Sequence, residues 1–371
     1  MEKIAFFHNL PIGGAKRVVY DQVVYFKKKY IVDVYEINVS REMFLNLEHL
    51  SNNFFSYPFK QNVNTNNFLR RVHKDYLNFV ELEKIHKKIA LDIKSRNYDF
   101  VIVHPDWLTQ APFLLKHLKS KHVYYCEELL RIVYEKKFGI RNSPTPVHFM
   151  YEWFTRKIRK KIDKENALSA NRIICSSRFT AKNVLTAYGR KAETIYPGID
   201  IDKFKPKKIE AKNDILFIGG KNSLDGYDLL ISSLELFKNK PVVRVITKNN
   251  KEQNWINDKS LVNEYQKSKI VVALARDEPL GLIPLEAMSC GIPVVAINEG
   301  GYRETIINNK TGILIDRNRE SLHNALSDLL KNENKRKVLG ENARQYMKDS
   351  WSLDKRNLEL ENTILKQIRD S

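Results

Sequence analysis

Short apolar runs alternate along this chain with longer stretches in which apolar residues recur at helical spacing. Lys3 to Phe7 is a β-prone apolar run that ends in the turn His8-Asn-Leu-Pro-Ile-Gly-Gly14. A helical face follows, carried by Val18, Val19, Gln22, Val23 and Phe26. Ile31 to Val39 alternates as a strand does. Leu77 to Ile93 places Leu77, Val80, Leu82, Ile85 and Ile89 on one helical side. Phe100 to Val103 predicts a buried strand ending at His104, and Val123 to Cys126, Arg172 to Cys175 and Thr194 to Tyr196 repeat the pattern. The pattern restarts at Asp214 to Ile218 and continues through Val242 to Ile246, Ile270 to Leu274, Pro293 to Ala296 and Gly312 to Ile315, with helical patterns between. Apolar strands separated by helices predict an α/β protein whose parallel sheets are covered on both faces.

The segment Tyr196-Pro-Gly-Ile-Asp-Ile-Asp-Lys-Phe-Lys-Pro206, with the polar run to Asn213, interrupts regular structure and marks the joint between two halves. Met43 to Arg71 is Asn-rich and poorly patterned, and reads as a long, mobile insertion. Ligands of open α/β sheets sit outside the carboxyl ends of the strands, so chemistry is sought in the strand-to-helix turns.

Composition narrows the class. A chain of 371 residues with 43% hydrophobic content has core enough for two domains and excludes a disulfide-stapled scaffold or a disordered chain. Cys126, Cys175 and Cys290 form an odd, scattered set, which suits a reducing cytoplasm rather than a disulfide framework or zinc site. No apolar run reaches the roughly 18 residues of a membrane span, and Ile4 to Phe7 is too short for a signal peptide. The expectation is a cytoplasmic protein. Net charge is +19, distributed unevenly: 34 Lys and Arg face 20 Asp and Glu up to residue 200, against 29 and 24 after it. Such a field favours anionic partners.

Glu278-Pro-Leu-Gly-Leu-Ile-Pro-Leu-Glu286, continuing Ala-Met-Ser-Cys-Gly-Ile-Pro-Val-Val295, carries the sharpest chemistry. It follows a strand. Gly281 loosens the backbone, Pro284 suits a first helical turn and Gly291 ends the helix. Glu278 then stands in the loop and Glu286 about one turn inside the helix. Uncommitted amides from Gly281 and Leu282 to Ile283 form an anion site fit for a diphosphate. Each carboxylate matches a vicinal diol, one on a sugar and one on a ribose.

This run resembles the signature of glycosyltransferase family 4. Glu299-Gly-Gly301 with Glu304, Thr311-Gly-Ile-Leu-Ile315, Gly13-Gly14-Ala-Lys-Arg-Val-Val19 and Tyr196-Pro-Gly-Ile-Asp200 resemble further family motifs. The resemblance implies the GT-B fold: two facing Rossmann-like domains, with a C-terminal helix returning to the first. It divides the chain into an acceptor-side domain at 1–205, a nucleotide-sugar domain at 206–348 and a crossing helix at 349–371, with Leu353 to Ile368 as its body. It implies retaining, metal-independent transfer of a hexose from a nucleoside-diphosphate sugar to a polysaccharide or lipid-linked acceptor, with no cofactor. Glu278 would hold the transferred sugar and Glu286 the ribose. Gly13, Gly14, Gly219, Gly220, Lys221, Gly281 and Leu282 complete the donor side, and Arg131 and His104 stand on the acceptor side.

Three positions depart from the family pattern. After Phe217-Ile-Gly219 the family carries Arg and, five residues on, Lys; here Gly220 and Asp225 stand there. The turn Gly219-Gly220-Lys221-Asn222-Ser223 could compensate as an anion nest with Lys221 as its cation, or Lys221 is an ordinary loop lysine; Lys248 is another candidate. In Tyr124-Tyr-Cys-Glu-Glu-Leu-Leu-Arg131 the family's active-site His is Glu127, which can still accept a hydrogen bond from a sugar hydroxyl; the resemblance makes Glu278 and Glu127 the catalytic residues. His104 either replaces that imidazole or touches acceptor, or it is a packed residue. The alternative to an enzyme is therefore an inactive GT-B subunit that binds a glycan or a partner transferase. An epimerase on the same fold would share nucleotide binding, but the Glu278 run points away from it.

His148-Phe-Met-Tyr-Glu-Trp-Phe-Thr-Arg-Lys-Ile-Arg-Lys-Lys161 joins aromatics to five cations. It suits an anionic membrane at the inner face, or it is a helix with a buried aromatic side and a solvated basic end. No nucleic-acid motif, Walker loop or GxGxxG is present. Asp200-Ile-Asp202 is too short a motif to assign a metal.

Overall fold

The structure is a computed structural model, described for residues 2–38, 45–61, 68–135, 145–247 and 257–369. It divides into two compact units, one formed by Met1–Tyr196 with Asn357–Ser371 and one by Pro197–Arg356.

The first unit runs β1 (Lys3–Asn9), α1 (Gly14–Phe26), β2 (Ile31–Asn38), β3 (Asn53–Pro58), α2 (Phe68–Ser95), β4 (Phe100–Asp106), α3 (Leu114–His117), β5 (His122–Cys126), α4 (Arg131–Tyr134), α5 (Pro146–Leu168), β6 (Arg172–Cys175), α6 (Arg178–Tyr188) and β7 (Glu193–Thr194). All pairings are parallel, in the order β3-β2-β1-β4-β5-β6-β7. The central strands are buried on both faces, which is why they read as unbroken apolar runs. On one face Phe7, Tyr35, Val101, Tyr124 and Cys126 meet Ile89 of α2 and Val184 of α6. Side-chain caps fix helix starts: Thr145 Oγ1 accepts from His148 N ahead of Pro146, and Ser177 Oγ accepts from Thr180 N. Each such cap contributes about 1 kcal/mol.

The expectation of a long, mobile insertion from Met43 to Arg71 is corrected where the structure describes it; 43–44 and 62–67 lie outside the described residues, and α2 opens at Phe68. Asn53–Pro58 is an edge strand in register with β2, Phe54 opposite Val34 and Tyr57 opposite Ile37. Its pattern is half-exposed rather than buried, because one edge and part of its face meet solvent, so the run carries little hydrophobic signal.

The second unit runs β8 (Asn213–Ile218), α7 (Tyr227–Leu234), β9 (Val243–Ile246), α8 (Asp258–Gln266), β10 (Ser268–Ala273), α9 (Leu282–Ser289), β11 (Val294–Ile297), α10 (Tyr302–Thr305), β12 (Ile313–Ile315), α11 (Arg319–Lys331) and α12 (Glu333–Ser350). The five parallel strands lie in the order β12-β11-β10-β8-β9. Phe217, Val272 and Val295 pack against Leu230, Leu322, Leu326 and Leu329. The joint segment enters this unit at once: Ile199 N donates to Trp351 O (2.8 Å) and Leu353 N to Ile199 O (3.0 Å).

The last helix, α13 (Leu353–Arg369), starts in the second unit and belongs to the first from Asn357 onward. Glu361, buried on α13, accepts from Tyr25 Oη (2.6 Å) and Lys29 Nζ (2.8 Å) through Oε2 and from Tyr30 Oη (2.9 Å) through Oε1. Burial alone would raise this carboxyl; the three donors outweigh it and hold it below the usual carboxylate range. No helix among the described residues is long and apolar enough to cross a membrane.

Candidate active site

Both sheets contain a point where the strand order reverses, the place beyond the carboxyl ends at which open α/β sheets bind ligands. In the second unit the chain passes from β8 out to β9 and then back across β8 to β10, so the point lies between β8 and β10. In the first unit it lies between β1 and β4, where the register also shifts between Phe7 and Asn9.

Beyond β10 the chain forms the loop to Gly281 and then α9. Gly281 caps α9 with φ +92°, and a Cβ there would lie 2.4 Å from the Tyr302 ring. Only glycine combines that backbone with that neighbour. The amides of Gly281, Leu282 and Ile283 donate to no group among the described residues, as expected for a helix start without a side-chain cap. Glu286, one turn in, is buried and accepts from Tyr265 Oη at 2.6 Å, which fixes its carboxylate.

Glu278 is held in place by backbone. Gly301 N donates to Glu278 O at 2.8 Å, and a Cβ at Gly301 would fall 2.3 Å from Pro279 O. The Glu299-Gly-Gly301 motif is therefore a seat for the Glu278 loop. Glu299 receives both Nε and Nη2 of Arg317 at 2.9 Å, and the same guanidinium donates to Leu274 O (3.0 Å) and Ala275 O (3.2 Å), tying down the end of β10. The Tyr302 phenol is pushed well above its usual range by burial and then by the nearby Glu278 charge, so it remains a neutral hydroxyl.

Beyond β8 the expectation of an anion nest is corrected. Gly220 N donates to Asp225 Oδ2 at 2.6 Å, and Asn222 Nδ2 joins the same oxygen at 3.0 Å. Asn222 Oδ1 accepts from Leu224 N and Asp225 N. The Gly219 amide donates to Ile246 O. The turn is thus filled by its own carboxylate. Lys221 is exposed, its Nζ 6.0 Å from the Tyr227 ring centroid. Lys248 lies outside the described residues.

In the first unit Gly13 precedes α1 in extended conformation with open space around its Cα, so neither fold nor packing demands glycine there; Gly14 opens the helix. Lys16 and Arg17 behind it are buried. His8 Nε2 lies 3.3 Å from Glu36 Oε2. Burial, with Lys16 and His104 adding to it, lowers the His8 imidazole below its usual value despite Glu36.

His104 is fully buried, between Phe6 (ring centroids 6.3 Å, near-parallel) and Tyr125 (5.2 Å). Its Nε2 is 2.9 Å from Gln22 Oε1 and its Nδ1 is 3.2 Å from Glu127 Oε1. With Gln22 presenting its carbonyl, Nε2 is the donor to it, and Nδ1 is left facing the Glu127 carboxyl. Glu127 Oε2 is buried without a hydrogen-bond partner. The Glu127 carbonyl accepts from Ser176 Oγ and Thr180 Oγ1. Arg131 forms a two-point pair with Glu135 at 2.7 and 3.2 Å.

The structure thus brings Gly281, Leu282, Glu278 and Glu286 to one switch point with Gly219, Gly220 and Lys221 in the turn after the neighbouring strand β8. It joins His104 to Glu127 in the other unit. Sequence reasoning missed Arg317, Tyr265, Tyr302 and Gln22, whose partners are distant in sequence and give no local signal. Asp200 Oδ1 accepts from Asp202 N and Lys203 N, a turn cap. Among the described residues no three His, Cys, Asp or Glu side chains converge as a metal site would require.

The sequence profile of Glycosyltransferase Family 4 matches residues 12–203, and that of glycosyl transferases group 1 matches residues 246–346. An uncharacterized glycosyltransferase of Methanocaldococcus jannaschii is 27% identical over 49% of this chain and 56% of its own length. A D-inositol 3-phosphate glycosyltransferase of Xylanimonas cellulosilytica is 26% identical over 42% of this chain and 47% of its own length, so these matches span about half of those relatives. Among solved structures, sucrose-phosphate synthase from Thermosynechococcus elongatus superposes with TM-score 0.75 at 15% identity, covering 100% of both chains. HepE of Anabaena, solved with UDP and glucose, superposes with TM-score 0.71 at 15% identity, covering 99% of this chain and 100% of its own. Two Rossmann-like parallel sheets matched along their whole length to these structures are the GT-B fold, and the chain belongs to glycosyltransferase family 4.

Proposed function

We propose that the protein is a retaining hexosyltransferase that moves a sugar from a nucleoside-diphosphate sugar to a polysaccharide or lipid-linked acceptor, without an obligatory metal or cofactor. The observation that carries this reading is the arrangement around α9: uncommitted amides at its start, Glu278 on the loop before it and Glu286 one turn inside. The amides bind the diphosphate, and their dipoles stabilise the negative charge that grows on it as the sugar leaves. Glu286, aimed by Tyr265, takes the ribose diol. Glu278 takes hydroxyls of the transferred sugar and fixes its anomeric carbon relative to the leaving group. The first unit serves the acceptor; His104, fully buried, acts there only by positioning Glu127. A panel of UDP- and GDP-sugars assayed for hydrolysis and transfer tests the reading; absence of turnover with every donor, in a chain that binds the nucleotide, would refute it.

That second outcome defines the other reading, an inactive GT-B subunit that binds a glycan or a partner transferase. Asp225 on the Gly220 amide and the buried Glu127 favour it.

The protein works in the cytoplasm, at the inner face of an anionic membrane, through 148–161. Between α2 and α5 lies an apolar groove of about 670 Å³ lined by Tyr76, Phe79, Phe149, Met150, Trp153 and Phe154. Phe149, Met150, Trp153 and Phe154 are exposed, and the cations of the same helix continue from them, with Lys157 Nζ 3.7 Å from the Trp153 ring centroid. Apolar insertion flanked by cations matches an anionic lipid surface. Flotation with vesicles containing phosphatidylglycerol, but not with purely zwitterionic ones, is the expected result.

A further inference from the structure

The second unit's switch point has two unlike walls. On the β10 side the amides opening α9 have no partner among the described residues. On the β8 side the Gly220 amide is already committed, 2.6 Å from Asp225 Oδ2. Asn222 reinforces that arrangement from both ends, its Nδ2 on the same carboxylate oxygen and its Oδ1 on the amides of Leu224 and Asp225. The loop from Gly220 to Asp225 is therefore closed around a negative charge supplied by the chain itself. Asp225 is half-buried rather than locked in the core, and its charge is felt at Tyr302, whose ring lies against Gly281. Carboxylate and phosphate oxygens are alternative acceptors for the same kind of backbone amide. A ligand that brings phosphate to this crevice meets an amide already taken and a like charge beside it.

We propose that Asp225 is an internal competitor of the donor's diphosphate. Its carboxylate occupies the Gly220 amide, and phosphate-bearing ligands bind only as that carboxylate is expelled or its charge is offset. Asp225 thus sets donor affinity through the phosphates and leaves nucleoside recognition, on the Glu286 side, untouched. This rests on the nucleotide-sugar reading above and adds to it a residue that weakens donor binding by design of the loop. Lys221, exposed and one residue from Gly220, is the cation nearest in sequence to offset the charge.

The test uses the full chain and two variants. Asp225→Asn keeps an acceptor oxygen for Gly220 and removes the charge; Asp225→Ala releases the amide altogether. Calorimetry measures UDP, UMP and uridine, and in parallel GDP, GMP and guanosine, with circular dichroism as the check on folding. The expected result is a gain of about tenfold or more for the diphosphate in both variants, a smaller gain for the monophosphate and less than twofold for the nucleoside. A wild type silent towards diphosphates beside an Asp225→Asn variant that binds them would support the inference equally. If the wild type binds a diphosphate and both variants bind it no better, Asp225 merely closes the loop and the inference is wrong. An equal gain for nucleoside and diphosphate also overturns it, since that reports a loosened loop. If no variant binds any nucleotide, the proposed function itself falls and takes the inference with it.

Discussion

At the end of β4, His104 is sunk among Phe6, Tyr125 and Gln22 and spends its Nδ1 on Glu127, whereas at the end of β10 Glu278 rides on a loop whose shape is set by the backbone of Gly301 and by Arg317. The first region is built from buried side chains, with His104 held between Gln22 and Glu127. The second is built from main chain, with carboxylates projecting from it. Removing one partner of a buried ionisable pair strands the other and costs several kcal/mol. A backbone-defined loop can lose one side chain and keep its form. The two regions should therefore respond differently to the same kind of truncation: the first in stability, the second in binding and turnover.

The largest effect tests the first half of that contrast. His104→Ala leaves Glu127 buried with neither oxygen paired and opens a cavity against Phe6 and Tyr125. It should lower unfolding free energy by about 3–5 kcal/mol, read as the urea midpoint. Adding Glu127→Gln to it should recover part of that loss, because the stranded charge is gone; a double variant as weak as the sum of the singles would mean that the two residues do not act as a pair.

Glu278→Gln tests the second half. It should leave the unfolding midpoint within about 0.5 kcal/mol, as for a substitution away from the core. Turnover of the accepted nucleotide sugar should fall about 10²–10³-fold, the scale of one lost group acting in the transition state. Affinity for the free nucleoside diphosphate should barely move. A large loss of stability instead would make Glu278 a second His104.

The same division governed what the sequence revealed. The second region's motif was legible because its form is a backbone shape, and backbone shape is written in local residues: Gly281 for a positive φ, Gly301 for a close approach to Pro279, Pro284 for the first turn of α9. The core strands were legible for a related reason, since burial on both faces leaves unbroken apolar runs. What was not legible depends on partners far away in the chain. Nothing near Arg317 announces that it ties down β10, and nothing near Gln22 announces His104. The edge strand Asn53–Pro58 escaped because it is half-exposed. The nest expected at Gly219 to Ser223 failed because glycines license a turn without saying what fills it, and the acid already visible at 225 is what fills it.

A third test concerns pH and again belongs to the first region. Asp163 on α5 is buried, accepts from Ala111 N (3.0 Å) and Tyr188 Oη (2.8 Å), and burial outweighs those donors to raise its carboxyl to about 6 from an ordinary 3.8. The folded protein holds this proton more tightly than the unfolded chain, so the group's stabilising contribution is complete below pH 4 and is lost as pH rises through 6. The loss is about 3 kcal/mol. Asp163→Asn should remove that slope: its unfolding free energy, relative to wild type, should rise between pH 4 and pH 7. An unchanged difference across that window would mean that Asp163 titrates as an exposed aspartate does.

The smallest effect comes from Glu286, where the two materials meet: a backbone-framed site containing one buried, hydrogen-bonded carboxylate. Tyr265, itself fully buried, donates to Glu286 Oε2 at 2.6 Å, so the carboxylate is aimed before any ligand arrives. Glu286→Ala removes a charged acceptor, and nucleoside affinity should fall by about 1.5–3 kcal/mol, roughly ten- to hundredfold. Because uridine and guanosine carry the same ribose as their diphosphates, the loss should be equal for nucleoside and diphosphate, the reverse of what Asp225 variants should show. Tyr265→Phe keeps the carboxylate but frees its orientation and should produce a smaller loss of the same kind. Calorimetry on both variants checks this. If Glu286→Ala instead costs stability while binding holds, then Glu286 belongs with His104 and Glu127 as a side chain that the fold requires, and the contrast between the two regions does not extend into α9.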